Sequence, residues 1–205
     1  MIRPFDLVVF DFDGTLVQSN GVKNDGFDRL AELYSGGDAA MKIARDDPTR
    51  DRFSVADRFA KALGLDAARG PEIAAQYGDI VDQAVIEAPE CPGAVGLLEA
   101  LQASDMAVHL SSATPKTALE HIVRARNWMP FFDGIHGRPA TKEDTLAQLI
   151  AKTGTKPSRI VVIGDGPDDR KSAKELGTAF FAVGDRLTEE VLMTLSDVRD
   201  RRLLC

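Results

Sequence analysis

Apolar and polar positions follow two different periods along this chain, and the change of period divides it. Residues 7–10, LVVF, form an apolar run with no polar residue interleaved. That is the pattern of a short strand buried on both faces. From about residue 20 to 88 such runs vanish and helical spacing takes over. Phe27, Leu30, Ala31 and Tyr34 fall on one helix face, Val55, Phe59, Ala62 and Leu63 on another, and residues 73–85 fit a longer third helix. Gly36-Gly37, Asp47-Pro48 and Gly70-Pro71 punctuate this stretch.

After Pro89 the two patterns alternate. Helices are predicted over 94–102, 117–126, 143–152 and 169–176, and strands over 106–110, 134–136, 159–163 and 179–183. Alternation of this kind predicts an α/β fold with a mostly parallel sheet and helices on both faces. The domain organisation expected is a core of residues 1–18 and 89–205 with an all-α insert over 19–88. The charged segment 46–52 reads as a solvated loop, and residues 187–205 as a terminal helix with a charged tail.

Composition narrows the function classes. The 205 residues are 44% hydrophobic and 28% charged, ordinary for a globular chain able to bury a sizeable core. A net charge of −7 gives no footprint for nucleic acid or an anionic membrane. A small anionic substrate stays open, because a metal ion or a lysine reverses the field inside one cleft. Cys91 and Cys205 are the only cysteines, so no disulfide framework is indicated. The apolar run at 7–10 is too short for a signal peptide or a membrane span. A soluble, cytoplasmic protein is expected, and nothing in the pattern chooses between a monomer and a homodimer.

Polar residues stand where the predicted strands end. Asp11 and Asp13 close the first, and in an extended backbone they address one site. Ser111-Ser112 follows the second strand, Lys142 precedes a helix, and Gly164-Asp165-Gly166-Pro167-Asp168-Asp169 follows another strand. In an open α/β sheet these ends share one edge, the edge where ligands bind. Taken singly, each is explained as a turn, a helix cap or a surface lysine. Together they bring carboxylates, a hydroxyl and an ammonium to one place. A calcium loop does not fit, since Gly14 is fourth from Asp11 and Val22 holds the twelfth position. Nor does a dinucleotide loop, since Asp169 stands where the third glycine belongs.

A phosphoryl group makes chemical sense of the set. A carboxylate approaching a phosphate at ~4 Å costs about 4 kcal/mol per unit pair at an effective dielectric near 20. A divalent cation between Asp11 and Asp165 removes much of that, and Lys142 offsets more. Mg2+ suits a site of a few carboxylates that keeps water and substrate oxygens. Ser111 and backbone N–H groups are available to the remaining phosphoryl oxygens.

These residues resemble the haloacid dehalogenase-like superfamily, in its phosphatase branch. The motifs run in order: Asp11-Phe12-Asp13-Gly14-Thr15, Ser111, Lys142, then Gly164-Asp165 with Asp169. The helical insert looks like the cap of that superfamily's C1 class. The resemblance implies a Rossmann-like core, a small phosphorylated metabolite as substrate, and relatives among phosphoglycolate and sugar-phosphate phosphatases. It implies that Asp11 is the nucleophile, forming an aspartyl-phosphate, and that Asp13 is the general acid and base. It implies a Mg2+ held by Asp11, the Asp13 carbonyl, Asp165 and Asp169, with Ser111 and Lys142 on the phosphoryl group. Ser112 and Thr114 are the alternatives to Ser111, because many relatives carry Asn where Ser112 stands. In the insert, Asn20, Lys23, Arg52 and Arg58 are the polar candidates for substrate contact.

Two other readings share parts of this pattern. A phosphomutase or phosphonate hydrolase of the same superfamily has the same core, and Lys23 is the one plausible imine-forming lysine for the latter. A phospho-aspartate signalling domain also combines acids, a hydroxyl and a lysine, but it is shorter and takes its aspartate from a middle strand. Asp13 argues against a dehalogenase, whose pattern lacks the second aspartate. His109, His121 and His136 are read as structural, and none is assigned to a metal.

Overall fold

The computed structural model of the chain describes residues 5–46 and 51–183. Two compact units result: one runs to Gln18 and resumes at Pro89, and the other is Ser19–Ala88. The expected break at Asp47-Pro48, the terminal helix over 187–205 and Cys205 lie outside the described residues.

Among the described residues, the first unit is built on five parallel strands: β1 (Leu7–Phe10), β2 (Ala107–Pro115), β3 (Gly134–Arg138), β4 (Ile160–Gly164) and β5 (Ala179–Ala182). Their order is β3-β2-β1-β4-β5, so β1 lies at the centre. Its four residues are all buried, as an unbroken apolar run requires. The helices of this unit are α5 (Ala94–Gln102), α6 (Lys116–Ala125), α7 (Lys142–Thr153) and α8 (Pro167–Leu176). Leu7 and Val9 join Leu146 and Leu149 of α7 and Ala173 of α8 in one core cluster. Alternation sends Val8 and Phe10 to the opposite face, and they are buried too. The chain leaves β1 for β2 on one side and returns to β4 on the other. That reversal is the switch point at which doubly wound sheets bind ligands.

One strand departs from its expected bounds in a way that matters below. The pattern ends the second strand at Leu110, yet β2 continues to Pro115 through Ser111, Ser112 and Thr114. Pairing with β3 extends it, through Ser111 to His136 and Pro115 to Arg138, with a register irregularity between them. His136 also meets His109 of β2, ring nitrogen to ring nitrogen, at 3.3 Å.

The second unit holds α1 (Asn20–Glu32), α2 (Gly37–Ala44), α3 (Arg52–Ala62) and α4 (Gly70–Glu87). Phe27, Leu30, Val55, Phe59, Ile73 and Tyr77 anchor its own apolar core. Three of these helices follow the expected periodicity. The second, α2, falls where Gly36-Gly37 reads as punctuation; Ala40, Met41 and Ala44 form its buried face. No helix among the described residues is long and apolar enough to cross a membrane.

Candidate active site

The edge at the carboxyl ends of β1, β2 and β4 collects most of the residues singled out above. Asp11 follows β1 directly; its N–H donates to Ile163 O at 2.9 Å, so the β1–β4 ladder fixes its backbone. The chain then turns sharply. Leu16 and Val17 N–H both donate to Phe12 O, and Gly14 takes φ 74°, a conformation glycine adopts without strain. The turn leaves Asp13 beside β2. There the hydroxyls of Ser112 and Thr114 both donate to Asp13 Oδ2, at 3.1 and 3.3 Å.

Lys142 is the first residue of α7. Thr141 caps that helix, and a reciprocal capping box with Asp144 fixes its start. The ammonium lies 2.9 Å from Asp11 Oδ1 and 2.8 Å from each carboxylate oxygen of Asp169. Asp169 lies in the first turn of α8, where a carboxylate complements the helix dipole, and it also accepts the Gly166 N–H at 3.3 Å. Gly164 makes room for it, because a Cβ there would come within 2.3 Å of the Asp169 carboxyl carbon. Asp165 is exposed between them. Asp11, Asp165 and Asp169 each offer an oxygen, and the three lie within 4.8 Å of one another.

Electrostatics at this cluster are unbalanced. Burial pushes the Asp11 carboxyl up to about 8 against the pull of Lys142, and Asp169 and Asp13 add to the push. Burial likewise raises Asp169, again opposed by Lys142. Burial alone would lower the Lys142 ammonium, but Asp11 and Asp169 outweigh it and hold the group above its ordinary value. The lysine is thus kept charged while the acids around it remain short of positive charge.

The remaining candidates lie on β2 and in the helical unit. Ser111 was expected to supply the hydroxyl because it follows the apolar run. It lies buried within the longer β2, in register with His136. Asn20 and Arg52 belong to the helical unit. Asn20 opens α1 and is exposed. Arg52 is buried, lies 3.2 Å from Asp82 and stacks over the Tyr77 ring. The guanidinium is thus engaged in packing within the helical unit. Lys23 gives its carbonyl to the Tyr77 hydroxyl, and Arg58 reaches Ile43 O. What the sequence reading missed is the double donation to Asp13. The signal available was the spacing of 112 and 114, which puts both on one side of a strand.

A model of haloacid dehalogenase-like hydrolases matches residues 5–177. The chain belongs to this family. Among curated proteins, the phosphoglycolate phosphatase of Caulobacter vibrioides is 26% identical over 92% of this chain and 83% of its own length. That of Synechococcus elongatus is 23% identical over 86% of this chain and 82% of its own. A crystal structure of a predicted phosphoglycolate phosphatase from Haemophilus somnus superposes with a TM-score of 0.72 at 19% identity, covering 89% of this chain and 86% of that one. The latter likeness concerns the fold.

Within this haloacid dehalogenase-like hydrolase, the acidic cluster can be tested as a metal site on its own chemistry. Its donors are carboxylate oxygens, hard ligands of the kind that suit Mg2+ rather than a thiophilic metal. Burial raises Asp11 and Asp169 against the pull of Lys142, and a divalent cation would offset that cost of their charged forms. The residues fit such an ion.

Proposed function

We propose that this hydrolase is a Mg2+-dependent phosphatase that cleaves a small phosphorylated metabolite through an aspartyl-phosphate on Asp11. One observation carries the reading: Asp11, Asp165, Asp169 and Lys142 converge at the switch point of the sheet, with Asp13 on the adjoining turn. A buried carboxylate attached to the central strand is a nucleophile held rigidly in place. Lys142 offsets the charge of the phosphoryl group as it nears that carboxylate. The hydroxyl assigned to the phosphoryl oxygens is that of Ser111, which directly follows the apolar part of β2.

Asp11 oxygen forms a bond to phosphorus while the ester P–O bond breaks. The electron pair stays on the leaving oxygen, which takes a proton from Asp13. Water then attacks the aspartyl-phosphate, giving its proton to Asp13, and the P–O bond to Asp11 breaks to release phosphate. Asp11, Asp165, Asp169 and the Asp13 carbonyl would hold a Mg2+ ion, which would supply Lewis-acid neutralisation of the phosphoryl charge. The helical unit is assigned the substrate-selecting role of a cap. The names of the curated relatives support phosphoglycolate as the first substrate to try.

A phosphate-release screen over a metabolite panel, run in Mg2+ and in EDTA, tests this. Release is expected from at least one phosphomonoester in Mg2+, with loss in EDTA and loss in Asp11→Asn. Undiminished release from Asp11→Asn rejects the mechanism. An isomerised sugar phosphate in place of free phosphate makes the protein a mutase instead.

A further inference from the structure

We propose that Thr114 is a positioning residue, which together with Ser112 fixes the Asp13 carboxylate by donating to the same oxygen, Oδ2. The inference rests on the proton-transfer role given to Asp13 above. Thr114 N–H donates to Ser112 Oγ at 3.1 Å, the Ser112 hydroxyl donates in turn to Asp13 Oδ2, and the Thr114 hydroxyl donates to that oxygen as well. Three hydrogen bonds therefore close a ring around one carboxylate oxygen. Ser112 and Thr114 are each 3% exposed, so water competes little for these bonds. The backbone that carries them is itself braced. Gly137 of β3 lies so close that a Cβ would come within 2.5 Å of Thr114 O.

Two donors on one oxygen remove the carboxylate's freedom to turn about its Cβ–Cγ bond. For a proton donor that freedom matters, because transfer requires a fixed approach to the leaving oxygen. The benefit depends on the leaving group. When an alkyl phosphate is cleaved, the electron pair is left on an alkoxide-like oxygen that must be protonated. When a nitrophenyl phosphate is cleaved, the ring takes up the charge and no proton is needed. A residue that only shapes the fold, or only binds phosphate, would affect both substrates alike.

The test is steady-state kinetics of Thr114→Val in Mg2+, on p-nitrophenyl phosphate and on the best alkyl phosphate of the panel. On the alkyl phosphate kcat is expected to fall about tenfold with KM within about twofold, while kcat on the nitrophenyl ester falls no more than about twofold. Thr114→Ser, which keeps the donor, restores the alkyl rate, and Thr114→Val adds nothing in an Asp13→Asn background. Should Thr114→Val fail to fold, Thr114→Ala against Thr114→Ser carries the same comparison. Equal losses on both substrates, a loss expressed in KM, or no loss at all each overturn the proposal. Phosphate release surviving in Asp11→Asn is a separate result, which removes the underlying mechanism rather than the positioning.

Discussion

Lys142 lies 2.9 Å from Asp11 and 2.8 Å from Asp169, and all three side chains are largely out of water. Taking the ammonium away leaves two buried carboxylates uncompensated, a change that costs about 3 kcal/mol or more. Lys142→Met is therefore expected to unfold at a markedly lower temperature in EDTA at pH 8. The pH dependence has a definite sign. Asp11 stands near 8 in the folded chain against an ordinary 3.8, so between those values the folded state binds more protons than the unfolded one. Stability from this group is present at low pH and is lost as pH rises through that window. Without Lys142 to pull Asp11 down the loss is larger, so melting of Lys142→Met should recover towards wild type at pH 5. A deficit equally deep at pH 5 and pH 8 would show that the lysine acts by packing instead. At this scale the sequence was a good guide to charge. Asp11, Asp165 and Asp169 follow apolar runs and Lys142 opens a helix after a turn, and they meet in space. Hydroxyls were harder to place. The strand was expected to stop where polarity begins, whereas Ser and Thr continue it to Pro115, and Ser112 and Thr114 donate to Asp13.

Elements carry the site through close approach, and β4 against α8 is the tightest case. A Cβ on Gly164 would lie 2.3 to 2.7 Å from three atoms of the Asp169 side chain, which is itself tied to Lys142. Neither partner has room to yield, so Gly164→Ala should push Asp169 off the ammonium. Overpacking of this kind costs about 1–3 kcal/mol, and phosphate release should fall at least tenfold. Release rates and thermal melts of the variant check both; near-normal values in each would mean that α8 shifts freely. The Gly164-Asp165-Gly166 run looks like a dinucleotide loop in sequence, yet its first glycine serves Asp169. Most elements were legible because their burial is continuous: LVVF and IVVIG are buried at every position. What stayed hidden depended on pairing or on short helices. The last five residues of β2 are polar or small and are held by partners on β3. The helix α2 has only eight residues and begins after Gly36 in a left-handed conformation, so its start looks like a break.

For the whole molecule, the change of hydrophobic period at residues 19–88 corresponds to a second core. Phe59 is fully buried there and meets Tyr34 edge-on, with ring centroids 5.3 Å apart. Among the described residues, the cluster around it draws its members from Ser19–Ala88, while the cluster under the sheet draws none from that segment. Separate cores allow separate openings, because a local unfolding reaction loses only the contacts of its own cooperative unit. Truncating Phe59 to Ala removes a ring and leaves a cavity, a loss of about 3–5 kcal/mol. The penalty should fall on one unit. Amide hydrogen exchange in α1, α3 and α4 is expected to accelerate by two or more orders of magnitude, about 1.4 kcal/mol per tenfold. The amides of β1 and β4, which belong to the other core, should keep wild-type protection under the same conditions. If protection collapsed together in the helices and in the central strands, the chain would be a single cooperative body despite its two periods. Retained strand protection, with faster exchange confined to 19–88, would make that segment a unit able to open while the carboxylates on the sheet hold their places.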